Sequence, residues 1–88
     1  MKAVVTVTAK DAKGIIAKVS AKCSEYGANI VDISQSVVGE YFAMIMLIEF
    51  EEGVHFGEFV DAMNVLGEEN GLIIQTMHED IFNSMHRI

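Results

Sequence analysis

The apolar positions of the chain recur with two different periods, which predict strands and helices in turn. Alternating apolar and polar residues, or an unbroken apolar run, are typical of strands and occur in residues 2–9, 29–38, 41–50 and 72–78. Apolar residues at helical spacing occur in residues 14–26, 55–69 and 79–88. The predicted element order is therefore β-α-β-β-α-β, followed by a short terminal helix.

The apolar stripes also predict which side chains face the core. In the first helix the stripe consists of Ile15, Ile16, Val19, Cys23 and Tyr26. In the second strand we expect Val31, Ile33 and Val37 to share one side, with Asp32, Ser34 and Ser36 on the other.

This order predicts the fold class α+β and, within it, a ferredoxin-like βαββαβ sandwich. Its four-stranded antiparallel sheet has the first and third strands at the centre, and both crossover helices lie on one face. We interpret residues 1–88 as one domain, with residues 1–78 as the βαββαβ core and residues 79–88 as a helical tail.

The third strand is apolar on both of its sides, although the predicted helices cover only one face of the sheet. Phe42, Met44, Met46 and Ile48 can face the helices, which leaves four residues for the bare face: Tyr41, Ala43, Ile45 and Leu47. A large exposed apolar patch usually marks an interface, and symmetric dimers are the commonest oligomers. We therefore expect a homodimer that pairs through these four residues.

Composition narrows the range of partners and of compartments. Six Lys and Arg against thirteen Asp and Glu leave a net charge of −7, which repels nucleic acid. The longest apolar run, residues 41–48, is far too short to span a membrane, and the first residues lack the features of a signal peptide. A single Cys allows no internal disulfide, so a cytoplasmic location is expected, with neither nucleic acid nor membrane as a partner.

The segment between the first strand and the first helix, residues 10–16, is the most informative for chemistry. Gly14 allows the backbone to approach a ligand closely, and the free N–H groups of a first helical turn can bind a carboxylate. Asp11 can either accept a ligand ammonium group or simply cap the helix, and the spacing alone favours the capped helix.

Residues 10–35, KDAKGIIAKVSAKCSEYGANIVDISQ, resemble ACT domains, which are small ligand-binding modules of β-α-β-β-α-β order. The family pattern Asp-x-x-Gly-Ile/Val matches Asp11, Gly14 and Ile15, and the Asn-Ile that opens the second strand matches Asn29 and Ile30. DISQ at 32–35, EYF at 40–42 and HEDIFNSMHRI at 78–88 look like a subgroup of short, free-standing prokaryotic ACT proteins with no assigned activity.

The resemblance implies that the protein senses an amino acid or another small metabolite at a subunit interface. Backbone N–H groups would come from Asp11, Ala12, Lys13, Gly14 and Ile15, a side-chain amide from Asn29, and an apolar wall from Ile30. Many family members carry Pro where this chain has Lys13, so the loop lacks the fixed φ of proline. Since no output region follows, the signal is expected to pass to a metabolic enzyme or regulator in trans.

Catalytic and metal sites find little support in the sequence. His55, His78 and His86 share no metal-ligand spacing, and His78-Glu79 fails as a zincin motif because residue 82 is Phe. Cys23 lies on the buried helical stripe, where nothing lowers the pKa of a thiol. We therefore expect no catalytic residues, no metal and no cofactor.

Two interpretations follow from the sequence. The first is a non-enzymatic, homodimeric regulatory module that binds a small molecule, such as an amino acid, and acts on a partner protein. The alternative is a structural or protein-interaction domain without a working ligand site. A small enzyme ranks third.

Overall fold

The computed structural model describes residues 1–10 and 13–85 and contains four strands and three helices in those residues. In chain order these are β1 (Lys2–Ala9), α1 (Ile15–Glu25), β2 (Ala28–Val38), β3 (Tyr41–Phe50), α2 (Phe56–Asn70), β4 (Ile73–His78) and α3 (Glu79–Met85). The strands form one antiparallel sheet in the order β2-β3-β1-β4. The predicted ferredoxin-like βαββαβ fold, with β1 and β3 at the centre, is confirmed.

The core lies between one face of the sheet and the two helices α1 and α2. The inward residues of β3 are almost completely buried, and they pack with Val19 of α1 and Met63 of α2 in one cluster. Three aromatic rings extend this cluster edge to face: the Phe50 ring lies 5.8 Å from Phe56 and 5.0 Å from Phe59. Because apolar burial is the main stabilising contribution in so small a domain, this layer fixes the sheet against the helices.

The second strand differs from the expected alternation because it contains a β-bulge. Ile30 pairs with Ile48, whereas Asp32 already pairs with Leu47, so Val31 is an extra residue without a cross-strand partner. The bulge shifts the inward positions, and both Ile30 and Ile33 pack against the core while Val31 is exposed. The prediction that Val31 and Ile33 share the buried side was therefore wrong.

One position of the predicted helical stripe also differs. Ile15, Val19 and Cys23 are buried as expected, but Ile16 is exposed. Successive helical residues are separated by about 100°, so Ile15 and Ile16 lie on different parts of the helix surface. Ile15 takes the core position because it continues the row of Val19 and Cys23.

The terminal helix α3 covers part of the sheet face that α1 and α2 leave bare. It packs against β1 and β4, where Val4 pairs with both Leu47 and Met77. Val4 points away from the main core, yet it is only 4% exposed. The predicted tail is therefore a helix as far as Met85, whereas His86, Arg87 and Ile88 lie outside the described residues.

No helix in residues 1–10 and 13–85 combines the length and the apolar character that crossing a bilayer requires.

Candidate functional site

Two ends of the sheet have to be distinguished to locate the predicted ligand residues. We use "loop end" for the edge where β1 ends and β3 and β4 begin, and "far end" for the edge where β2 begins. Loop 1, residues 10–14, joins β1 to α1 at the loop end. Asp11 and Ala12 of loop 1 lie outside the described residues.

Gly14 is the residue at which loop 1 turns into α1. With a φ of 74° and a ψ of 0°, Gly14 adopts the left-handed conformation. Residues with a side chain adopt this conformation only at an energetic cost. The Gly14 carbonyl accepts the first helical hydrogen bond, from Lys18 N–H at 3.1 Å, and no side-chain cap is formed in the described part of the chain. The N–H groups of the first turn of α1 lie at the positive end of the helix, which favours an anion.

Asn29 and Ile30 lie at the far end of the sheet. Asn29 pairs with Glu49, which pairs with Lys2, whereas loop 1 begins after Ala9. Lys2 and Ala9 are seven residue steps apart along β1. At about 3.3 Å per step, the two ends of the strand are roughly 23 Å apart. One chain therefore does not bring Asn29 to Gly14.

The two far-end residues also point in different directions. Cross-strand partners share a face, so Asn29 lies on the same side as the exposed Glu49, away from the helices. Ile30 is half-buried and packs against the main core from the other side. Of the two, only the Asn29 side chain lies on the solvent side of the sheet.

The surface that α1 and α2 do not cover, called the open face here, contains the residues predicted for pairing. Tyr41 is 53% exposed and Ile45 is 45% exposed, Ala43 is exposed, and Leu47 is half-buried. The predicted division of β3 into a buried side and a bare apolar side is thus what the structure contains.

A pocket of about 280 Å³ lies at the loop end, on the edge of the open face. It is lined by Thr8, Ala9, Lys10, Tyr41, Gly71 and Ile73. This pocket is not predictable from the sequence, because its residues come from three distant segments that only the sheet brings together. Lys10 is the first residue of loop 1, and the sequence alone assigns it no ligand role.

The remaining candidates for chemistry have structural roles. Burial raises the pKa of the Cys23 thiol from 9.0 to about 11, which disfavours the reactive thiolate. The Nδ1 of His78 accepts a hydrogen bond of 3.0 Å from the backbone N–H of Asp80, so this imidazole holds the first turn of α3. Within the described residues, no group of three His, Cys, Asp or Glu side chains converges as a metal site requires.

The described residues form a small βαββαβ module in which β1 leads through a left-handed glycine into α1. The family model of the ACT domain matches residues 2–77, and the chain belongs to the ACT domain family. The resemblance read from loop 1 and the start of β2 is thereby confirmed. ACT domains are ligand-binding regulatory modules.

Individual relatives agree with this assignment. A UPF0237 protein from Methanopyrus kandleri is 42% identical over 88 residues, which cover 99% of this chain and 98% of the relative. The structure of an ACT domain protein from Streptococcus pneumoniae has a TM-score of 0.84 and 39% identity, covering 93% of each chain.

A more distant structure shares the fold alone. The regulatory subunit of aspartate kinase from Thermus thermophilus has a TM-score of 0.65 at 23% identity, with 85% of this chain and 49% of that chain covered.

Proposed function

We propose that the protein is a homodimeric regulatory module that binds a small carboxylate-containing metabolite, such as an amino acid, and signals to a partner protein in trans. Family membership supports the regulatory part, and the glycine turn supports ligand binding. The observation that carries the proposal is the first turn of α1, which starts at Gly14 without a side-chain cap in the described residues. A bound carboxylate would occupy that position.

The separation of the two predicted halves of the site supports a dimer. A two-fold axis perpendicular to the strands reverses the strand direction in the second copy, so the far end of that copy meets the loop end of the first. Stacked sheets lie about 10 Å apart, and Asn29 lies on the side of the sheet that would face the second copy. In such a dimer Asn29 of one copy lies over the loop end of the other, and its amide would contribute to the proposed site with Lys13, Gly14 and Ile15 at the edge of that end.

The open face supplies the driving force for this pairing. Tyr41, Ala43, Ile45 and Leu47 present apolar surface that association would remove from water, at about 25 cal/mol for each Å². We assign the dimer interface to these four residues.

Signalling in trans and the absence of catalysis belong to the same proposal. This chain covers 98% of the Methanopyrus kandleri relative, so that relative leaves no room for an attached output domain. The inert environment of Cys23 and the structural role of His78 favour binding over turnover. A metabolic enzyme or a regulator is the kind of partner such a module would act on.

Thermal unfolding with a panel of amino acids and related carboxylates tests ligand binding. A ligand at a hundredfold excess over its Kd stabilises the folded state by about 2.7 kcal/mol, which raises Tm by several degrees in a domain of this size. Gly14→Ala is expected to lower the starting Tm and to abolish the ligand-induced rise.

Gly53→Ala provides the matched control. Gly53 also has a positive φ, 85°, and a methyl group at either glycine would meet no atom of the described residues within 4 Å. Both variants therefore carry a similar backbone cost, about 1 kcal/mol, but only Gly14 borders loop 1. A ligand response that survives in Gly14→Ala as it does in Gly53→Ala contradicts the proposed site.

The alternative function is an interaction domain without a working ligand site, and the exposed apolar face is the observation that favours it. If no compound of the panel changes the Tm of the wild-type protein, this alternative replaces the sensing proposal.

A further inference from the structure

The pocket at the loop end has the size of a site for a small molecule. Its volume of about 280 Å³ lies just below the range of roughly 300–1,000 Å³ that is typical of sites for drug-sized ligands. The pocket therefore has room for a compound about as large as an amino acid.

The walls of the pocket are apolar and open. Ile73 is 66% exposed and the Tyr41 ring is 53% exposed, so both retain surface that a ligand would remove from water. The backbone between α2 and β4 turns at Gly71 with a φ of 66°, and within residues 1–10 and 13–85 a methyl group there would meet no atom closer than 4 Å. The turn thus leaves space beside the two apolar side chains.

The lining is largely apolar, and the single lysine on its rim favours an anion over a cation. Of the described residues around the pocket, Lys10 alone carries a charge, in a protein whose net charge is −7. An ammonium group attracts a carboxylate and donates charge-assisted hydrogen bonds to it, while the Thr8 hydroxyl is a further donor on the same rim. An amine ligand would meet a like charge at Lys10.

We infer that this pocket binds a small carboxylate with an apolar side chain, its carboxylate on Lys10 and its apolar part against Tyr41 and Ile73. The residues of this pocket differ from those of the shared site proposed above, which uses the first turn of α1 and Asn29 of a second copy, but Tyr41 also belongs to the proposed dimer interface. The lining residues Thr8, Tyr41 and Ile73 follow the side of the sheet opposite the main core.

Titrations followed by ¹H–¹⁵N NMR test the inference with matched probes. The probes are phenylacetate, phenylacetamide and 2-phenylethylamine, which share one apolar skeleton and differ in charge. Phenylacetate is expected to shift the amide signals of residues 8–10, 71 and 73 to saturation. It is expected to bind about tenfold more tightly than the amide, as the loss of a charge-assisted hydrogen bond predicts, and the amine is expected to bind least.

Two lysine variants distinguish binding of a carboxylate at Lys10 from a general effect of the net charge of the protein. Lys10→Met is expected to remove the preference for phenylacetate over phenylacetamide. Lys18→Met removes the same charge from the exposed surface of α1 and is expected to leave the preference intact.

The inference would be overturned by no saturable shift at the pocket residues, by equal binding of all three probes, or by equal losses in the two lysine variants. Shifts confined to the first turn of α1 and Asn29 would also overturn it, while supporting the shared site. Saturation at the pocket in a protein that fails the amino-acid panel would support the inference and reject the proposed function.

Discussion

Gly67 and Leu72 contact each other through their backbones at the end of α2. The Leu72 N–H donates a hydrogen bond of 2.9 Å to the Gly67 carbonyl, and a methyl group on Gly67 would lie 2.8 Å from the Leu72 carbonyl oxygen. The hydrogen bond closes the helix over the left-handed Gly71, which is a common way to satisfy its last carbonyls. The absence of a side chain at Gly67 therefore lets β4 start directly beneath the helix.

This contact predicts opposite effects for two glycines of α2. Gly67→Ala is expected to destabilise the protein, since an overpacking cost of about 1–3 kcal/mol exceeds the roughly 1 kcal/mol that alanine gains in a helix. A methyl group at Gly57 would meet no atom of the described residues within 4 Å. Gly57→Ala is therefore expected to raise the free energy of unfolding by about 0.5–1 kcal/mol, because alanine favours the helix more than glycine does. Urea unfolding measures both free energies. A gain of stability in both variants would contradict the close contact.

The buried thiol predicts a loss of stability at alkaline pH. Burial raises the pKa of Cys23 from 9.0 to about 11, so the unfolded chain releases its proton at a lower pH than the folded protein. The contribution of the protonated thiol to the free energy of unfolding is therefore fully present below pH 9.0 and is lost as the pH rises towards about 11. A shift of this size corresponds to about 2–3 kcal/mol.

Cys23→Ala provides the comparison for this pH dependence. Lysines and tyrosines titrate in the same range, but they do so in both proteins, and their effects cancel in the difference. The stability advantage of the wild type over Cys23→Ala, measured by urea unfolding from neutral pH to about 11, is expected to shrink by about 2–3 kcal/mol. A constant difference would contradict the raised pKa.

The position of α3 over β1 and β4 predicts that Phe82 supports the sheet. Phe82 is half-buried in a helix that covers Val4, and Asn83 beside it is exposed. Phe82→Ala is expected to lower the free energy of unfolding by about 1–2 kcal/mol and to shift the methyl NMR signals of Val4. Asn83→Ala is expected to change stability by less than about 0.5 kcal/mol. Equal effects of the two substitutions would show that α3 does not protect Val4.

The fold could be predicted from the sequence because long segments carried one clear period. Alternation in β1 and the doubly apolar β3 indicated the two central strands, and the helical stripes indicated the layer above them. The bulge at Val31 was missed because Val31 and Ile33 imitate a regular strand. The inward positions at Ile30 and Ile33 are three residues apart, which requires an extra residue in the strand.

The candidate site was predictable only in part, for a topological reason. Gly14 was identified from its place between a strand and a helix, and its left-handed conformation agrees with the need for glycine. Asn29 was grouped with it, yet the register of β2 with β3 places Asn29 at the far end of the sheet. The sequence pattern predicts which segments form strands, but it does not predict the register between strands, which sets the distance from Asn29 to Gly14.

The open face predicts a specific difference between two exposed apolar residues. Ile45 on β3 is 45% exposed and Val65 on α2 is 49% exposed, but only Ile45 lies in the proposed interface. Glutamate at residue 45 would place a charge in an apolar contact without a partner, which costs several kcal/mol, whereas glutamate at residue 65 stays in water. In sedimentation at micromolar concentration the wild type and Val65→Glu are expected to be dimers and Ile45→Glu a monomer. A wild-type monomer would remove the second copy that brings Asn29 to loop 1, and the shared ligand site would go with it.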